Sequence, residues 1–313
     1  MERKNSIIKR VIALAMCCVM AISLTACEND RGNSGEESSI SNPITEPTEG
    51  TPVEPEQTIV DEINAAYAIN DDVVGWLTVP GTEIDEQVVQ GDNNTEYERL
   101  SWDRKDADGD GVPDYDFYGC YFADAGNTFG NRNDLSRNTI IYGHNMHNVT
   151  TGDKDVLKFG ALFRFVDFNG DGTIFGDDVE TANDFSFAEQ HPVIYFSTTD
   201  DEMVWVIYAA YFTDLGFQYH LENPDDATFQ NIIDEGRARS RLDYDVDVNT
   251  SDRILTLSTC AYKYTDSVAK RDLRFVVQAR LLRPGEEIPT TAKVSRNTDV
   301  KEPAQHATST IAG

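Results

Sequence analysis

Positive charge, cysteine and long apolar runs are all scarce in this 313-residue sequence. Lysine and arginine together number 26 against 55 aspartates and glutamates, a formal net charge of −29. A chain so short of cations lacks the basic surface that neutralises phosphates, which excludes a nucleic-acid binder. Cysteine occurs five times, as Cys17, Cys18, Cys27, Cys120 and Cys260, and the first three crowd the N-terminus. The two that remain are too few for a disulfide scaffold. Only Val11 to about Ala26 forms a long apolar run, and it falls short of the roughly twenty residues that span a bilayer. Against these shortages stands an ordinary globular mixture, 40% hydrophobic and 26% charged, enough for a sizeable core. No internal repeat is visible.

Arg3, Lys4, Lys9 and Arg10 precede the apolar run, giving the charged and hydrophobic regions of an export signal. The run ends in Leu24-Thr25-Ala26-Cys27, which resembles the lipobox of bacterial lipoproteins and implies lipidation at Cys27. An uncleaved signal anchor is the alternative, and it leaves the chain on the same outer face of the membrane. Residues 1–27 are therefore read as a lipoprotein-type signal peptide. Residues 28–57, made of Ser, Pro, Thr, Gly and Glu, have too little apolar surface to fold and read as a disordered acidic tether. One domain of ordinary size is expected over 58–283, followed by a flexible tail over 284–313.

Within the domain, Ile59, Ile63, Ala66 and Tyr67 have helical spacing. Eight strand-like runs follow, rich in β-branched and aromatic residues: Val74–Val79, Ile84–Val89, Tyr118–Phe122, Thr139–Tyr142, Val193–Phe196, Met203–Phe212, Ile254–Thr259 and Phe275–Leu282. Such a mainly-β pattern suggests a barrel or a sandwich. Helical patterns recur over about 156–165 and 227–239, the latter with Phe229, Ile232 and Ile233 in one stripe.

Cys260 ends one of the apolar strands, His144 follows another, and Arg274 opens the last. A thiol, an imidazole and a guanidinium at strand ends can converge as nucleophile, acid/base and oxyanion-binding cation, although a buried inert thiol fits the cysteine taken alone. The strings Thr256-Leu257-Ser258-Thr259-Cys260, Tyr142-Gly143-His144 and Arg274-Phe275-Val276-Val277 together resemble the sortases, cysteine transpeptidases of the Gram-positive surface. The resemblance runs from about Val73 to Leu282 and includes Val74-Gly75-Trp76-Leu77-Thr78-Val79-Pro80-Gly81-Thr82 and Val88-Val89-Gln90-Gly91. The N-terminal helix, the helix before the signature strand and Ser258 make class B the nearest subclass.

The resemblance implies a closed eight-stranded β-barrel with an N-terminal helix and a helix in the loop before the catalytic strand. It also implies that Cys260 attacks the carbonyl of a Thr in a sorting motif, that His144 shuttles protons and that Arg274 stabilises the oxyanion. Asn94, Ser258 and Thr259 are the matching substrate-binding positions. Arg271 is the competing cation, but the Phe-Val-Val-Gln-Ala pattern puts Arg274 at the strand start. Implied partners are sorting-signal-bearing surface or pilin proteins and an amine of a peptidoglycan precursor or pilin, with no organic cofactor. The expected place is the extracytoplasmic face of a Gram-positive cell membrane. Cys120, in an apolar stretch, reads as a core thiol.

Two acidic loops look inserted relative to this family. Asp106, Asp108, Asp110 and Asp114, with Gly111 at the sixth position of a 106–117 loop, suit a turn around a hard cation. The 167–178 loop fits better: Asp167, Asn169, Asp171 and Asp178 occupy positions one, three, five and twelve, and Thr173 offers a carbonyl at seven. It resembles the calcium loop of dockerins, which makes Ca2+ the expected ion. Two rivals to the transpeptidase follow from the same residues. One is a cysteine protease with water as acceptor, and the other is a non-catalytic, calcium-dependent surface scaffold that would have no use for an activated thiol.

Overall fold

The computed structural model describes residues 58–147, 156–166, 184–261 and 273–303. Helix α1 (Ile59–Tyr67) begins at Thr58, whose hydroxyl accepts from the Asp61 N–H while the Asp61 carboxylate accepts from the Thr58 N–H, a reciprocal capping box. Its Ile63 and Ala66 face Val73, Val89, Tyr97, Cys120 and Phe122 on the outside of the sheet.

The chain then runs β1 (Val73–Thr78), β2 (Asp85–Val89), β3 (Tyr121–Ala123), β4 (Asn138–Tyr142), β5 (Asn145–His147), β6 (Val156–Lys158), α2 (Ser186–Gln190), β7 (Val193–Ser197), β8 (Val204–Asp214), α3 (Asp226–Arg239), β9 (Leu242–Tyr244), β10 (Ile254–Ala261), β11 (Leu273–Leu281) and β12 (Val294–Arg296). Eight of these close a barrel in the order β1-β2-β3-β4-β10-β11-β8-β7, with β7 returning to β1. Closure leaves no unpaired edge. The expected strands are the barrel strands, and the barrel, not the sandwich, is the answer.

Two layers of apolar packing hold the barrel. Leu77, Val88, Ile141, Phe196, Trp205, Leu255, Leu257, Phe275 and Val277 fill the interior. On the outside, α3 lays Phe229, Ile232 and Ile233 over Tyr208, Tyr211 and Val276, which is why β8 is buried on both faces. Asp225 caps α3 by accepting from the Thr228 N–H at 2.8 Å. Gly236 lets the helix approach closely, since a Cβ there would lie 2.5 Å from Gln278 Oε1.

Two expectations are corrected. The helical pattern over about 156–165 holds only from Phe159 on: β6 pairs with β5, and Phe159–Val166 is a 3-10 helix with Phe159, Leu162, Phe163, Phe165 and Val166 all buried in the core. Arg164 is the exposed residue of this short helix, which is otherwise packed nearly all round. Residues 284–303 are not a loose tail. β12 pairs with β9, Lys301 bonds Glu235, and Glu302 meets Arg241 through both carboxylate oxygens, at 2.5 and 2.9 Å. Arg241 is only 8% exposed along its side chain, so its charge requires that partner.

Glu302→Ala would remove both carboxylate hydrogen bonds from the Arg241 guanidinium. Because Glu302 keeps some contact with water, the expected cost is about 2 kcal/mol, below the range for fully buried pairs, or roughly 4–8 °C in Tm. A thermal melt unchanged within a degree would show that this segment does not hold the domain.

Candidate active site

Strand alternation decides which side chains reach the surface at the end of β10. Leu255 and Leu257 point into the barrel, so Thr256, Ser258 and Cys260 share the outer face. Cys260 is half-buried there. Alternation also sends Thr259 to the core side, where it is 3% exposed and its hydroxyl has no hydrogen-bond partner. The Thr259 side chain therefore does not share a face with Cys260, whereas that of Ser258 does.

The neighbours of β10 bring the other two residues. β11 runs antiparallel with Cys260 opposite Arg274, which puts both side chains on one face at the separation of directly opposed residues. β4 runs parallel, with Tyr142 level with Ser258, so His144 reaches the same end of the barrel two residues on. Gly143 between them is a steric necessity: a Cβ would come within 2.8 Å of both the Tyr121 and Phe159 rings.

His144 is held from several sides. Its carbonyl accepts from the Phe159 N–H at 2.9 Å, and its Nε2 lies 2.5 Å from the Glu98 carbonyl oxygen. The neighbouring Asn145 donates from Nδ2 to the Cys260 carbonyl at 2.9 Å, tying the histidine segment to the nucleophile strand. Burial pushes the His144 imidazolium below its ordinary value, against the smaller opposing pull of the Glu98 carbonyl. The charged form of the ring is thereby disfavoured, while Cys260 and Arg274 stand opposite each other on the neighbouring strands.

Along that face the row behind the catalytic residues consists of Tyr142 and Ser258. Tyr219 covers it, with its hydroxyl 2.8 Å from Ser258 Oγ; burial raises the Tyr219 phenol above its usual value, and the Arg274 charge opposes that. Asn94 sits beside the row, but both ends of its amide are engaged: Nδ2 donates to Asp124 Oδ2 at 2.8 Å and Oδ1 accepts from the Ala125 N–H at 2.7 Å. Sequence reasoning missed Tyr219, Asn145 and Asp124. Asn145 had a signal in its adjacency to His144, whereas Tyr219 and Asp124 come from loops with no motif.

Cys120 is 2% exposed, and burial pushes its thiol up to about 12, so it is the inert core thiol expected. In the first acidic loop, one carboxylate oxygen from each of Asp106, Asp108 and Asp110 lies within 4.8 Å of the others. Asp114 turns back to accept from the Ala107 N–H. The second loop (Asp167, Asn169, Asp171, Thr173, Asp178), the signal with Cys27, and Arg271 lie outside the described residues.

No family model matches the chain. Among characterised proteins it is 30% identical over 216 residues to sortase B of Staphylococcus aureus, covering 69% of this chain and 72% of that protein. It is 31% identical over 201 residues to sortase B of Listeria monocytogenes, covering 64% and 67%. Among solved structures, a Staphylococcus aureus sortase B–substrate complex matches with a TM-score of 0.54 at 26% identity, over 72% of this chain and 87% of that one. Taken with the closed barrel, the pairing of Cys260 with Arg274 and the approach of the His144 segment to the same barrel end, these likenesses establish that the chain belongs to the sortase family and is class B-like.

Proposed function

We propose that this chain is a surface-anchored, class B-like cysteine transpeptidase that cleaves a sorting motif after Thr and joins the acyl group to an amine of peptidoglycan or a pilin. The observation that carries the reading is Cys260 opposite Arg274 on paired strands, with His144 arriving on the parallel neighbour. In the first half, the Cys260 thiolate adds to the Thr carbonyl, and Arg274 hydrogen-bonds the oxygen that gains charge. His144, which starts neutral and takes up the Cys260 thiol proton as the thiolate forms, gives that proton to the leaving amine nitrogen as the C–N bond breaks, which leaves a thioester. In the second half, the neutral ring takes a proton from the incoming amine as its nitrogen attacks the thioester, and the thiolate departs. Ser258, Tyr142, Tyr219 and Asn94 surround the approach of the peptide to Cys260. Among the described residues no helix is long and apolar enough to cross a membrane. Attachment to the outer face of the cell membrane is therefore assigned to the N-terminal segment, through lipid on Cys27 or a signal anchor.

Calcium at the two inserted loops belongs to the same proposal. The gathering of three carboxylates at Asp106, Asp108 and Asp110, around a turn that Gly109 and Gly111 make with positive φ, supports a hard-cation site of oxygen ligands.

Three outcomes are expected. Incubated with an amine and a peptide carrying Asn-Pro-X-Thr, the sorting motif that the class B resemblance implies, the wild type should yield amine-ligated product and Cys260→Ala none, while Arg274→Ala should lose about 10²–10³-fold in kcat, as for loss of an oxyanion donor. Hydrolysis that added amine leaves unchanged would point to a protease instead. The second outcome concerns pH. With the folded-state value of His144 depressed, the unfolded chain binds the extra proton first on acidification, so stability is lost as pH falls below about 6.5. His144→Gln should flatten the fall in Tm between pH 7 and 5.5, and parallel curves would contradict a buried neutral ring. Thirdly, calcium at a large excess over its Kd should stabilise the chain by about 2–3 kcal/mol, and Asp108→Asn with Asp110→Asn should remove part of that gain. Identical melts in calcium and in chelator would dispose of the ion.

A further inference from the structure

The polar groups around the row behind Cys260 converge on one carboxylate that no family motif marks. Asp124 follows β3 and is 4% exposed. Its Oδ2 accepts from the Tyr142 hydroxyl at 2.7 Å and from Asn94 Nδ2 at 2.8 Å, and its Oδ1 accepts from the Gly126 N–H at 2.9 Å. Its main chain is fixed as well, with the N–H donating to the Ile140 carbonyl at 3.0 Å and the carbonyl accepting from Gln90 Nε2 at 2.8 Å.

Across from it stands Glu222. A Cβ on Gly126 would meet Glu222 Oε1 at 2.5 Å and Asp124 Oδ1 at 3.4 Å, so both carboxyl groups converge over Gly126. Burial, and the nearby Asp124 carboxylate, raise the Glu222 carboxyl above its usual value. Glu222 ends the stretch that begins near Tyr219, and its carbonyl accepts from the Asn138 N–H at 2.9 Å.

Three chain segments therefore meet at one side chain: the 92–95 loop through Asn94, strand β4 through Tyr142, and the 219–222 stretch through Glu222. Tyr142 belongs to the row level with Ser258, Tyr219 covers that row, and Asn94 flanks it. We infer that Asp124 is a positioning residue for the peptide substrate, fixing the floor and both walls of the groove that leads to Cys260. It touches no reacting atom. Its task is to hold Tyr142, Asn94 and the Tyr219–Glu222 stretch at the spacing that an extended peptide requires. Because a buried carboxylate that accepts from several donors works as a unit, its loss and the loss of a donor should not add.

The inference rests on the sortase reading, and binding measured without chemistry separates the two. The probe is a fluorescein-labelled peptide containing Asn-Pro-Ala-Thr, titrated by anisotropy against the full chain carrying Cys260→Ala. Asp124→Asn should weaken binding about tenfold and Tyr142→Phe about threefold, and the double variant should bind no more than twofold worse than Asp124→Asn alone. With Cys260 restored, Asp124→Asn should raise KM about tenfold and lower kcat less than threefold. If Asp124→Asn does not fold, Tyr142→Phe and Asn94→Ala each remove one donor and read the same coupling with each other. A Kd within twofold of the parent, fully additive effects, or no saturable binding with Asp124 intact would overturn the inference. Saturable, Asp124-dependent binding without Cys260-dependent cleavage would sustain it and sink the transpeptidase.

Discussion

The chemistry of this chain depends on the register between β4 and β10. Because side chains alternate along a strand, a slip by one residue would turn Cys260 into the core and bring Thr259 out. A buried polar ladder prevents that slip. Thr256 donates to Asn138 Oδ1 at 2.7 Å, Gln278 Nε2 donates to Thr256 Oγ1 at 3.2 Å, and the Tyr208 hydroxyl donates to Gln278 Oε1 at 3.1 Å. These residues lie on β4, β10, β11 and β8, the four adjacent strands that carry or support the catalytic face. Any other register would leave several of these groups buried without partners, at roughly 1–3 kcal/mol each. The ladder therefore selects one alignment where apolar packing alone would tolerate two.

The same ladder reaches the groove. Asn138 Nδ2 donates to the carbonyls of Tyr219 and Leu221 at 2.9 and 3.0 Å, so the residue that helps set the strand register also seats the stretch that covers Ser258. Stability and substrate contact are coupled through one side chain. A change at Asn138 would propagate to both, which is why the network, and not the catalytic residues alone, defines the working surface.

How far the sequence could be read follows from this physics. The eight barrel strands were legible because each alternates or forms a dense β-branched run, as Val73–Thr78 and Leu273–Leu281 do, and α1 and α3 because their apolar stripes face one way. The three strand-end residues stood out for the same reason, each being tied to a strong strand. The segment 156–166 is strand before it is helix: Val156–Lys158 pairs with β5 and the 3-10 helix that follows buries all but Arg164, so apolar composition does not mark where the helix begins. The stretch 284–303 was missed because it is held by ion pairs and one short strand, and its partners, Arg241 and Glu235, lie some sixty residues away in sequence. Thr259 comes from the signature string that ends in Cys260, and a string of residues does not say which side chains face the core; period-two geometry turns that of Thr259 inward.

Burial and charge act in opposite directions at the site, and the balance explains the placement of His144. A net charge of −29 would by itself favour a protonated imidazole, yet the ring lies against Gly119 and the Glu98 carbonyl, and desolvation prevails. Surface carboxylates are screened within about 10 Å at ordinary salt, whereas the cost of burying charge is local and unscreened. The protein thus remains strongly acidic outside while it keeps at its centre a neutral base with a cation, Arg274, on the neighbouring strand. The two effects act at different ranges: the acidic exterior favours an approaching cation, and the local environment of His144 disfavours a charge on its ring.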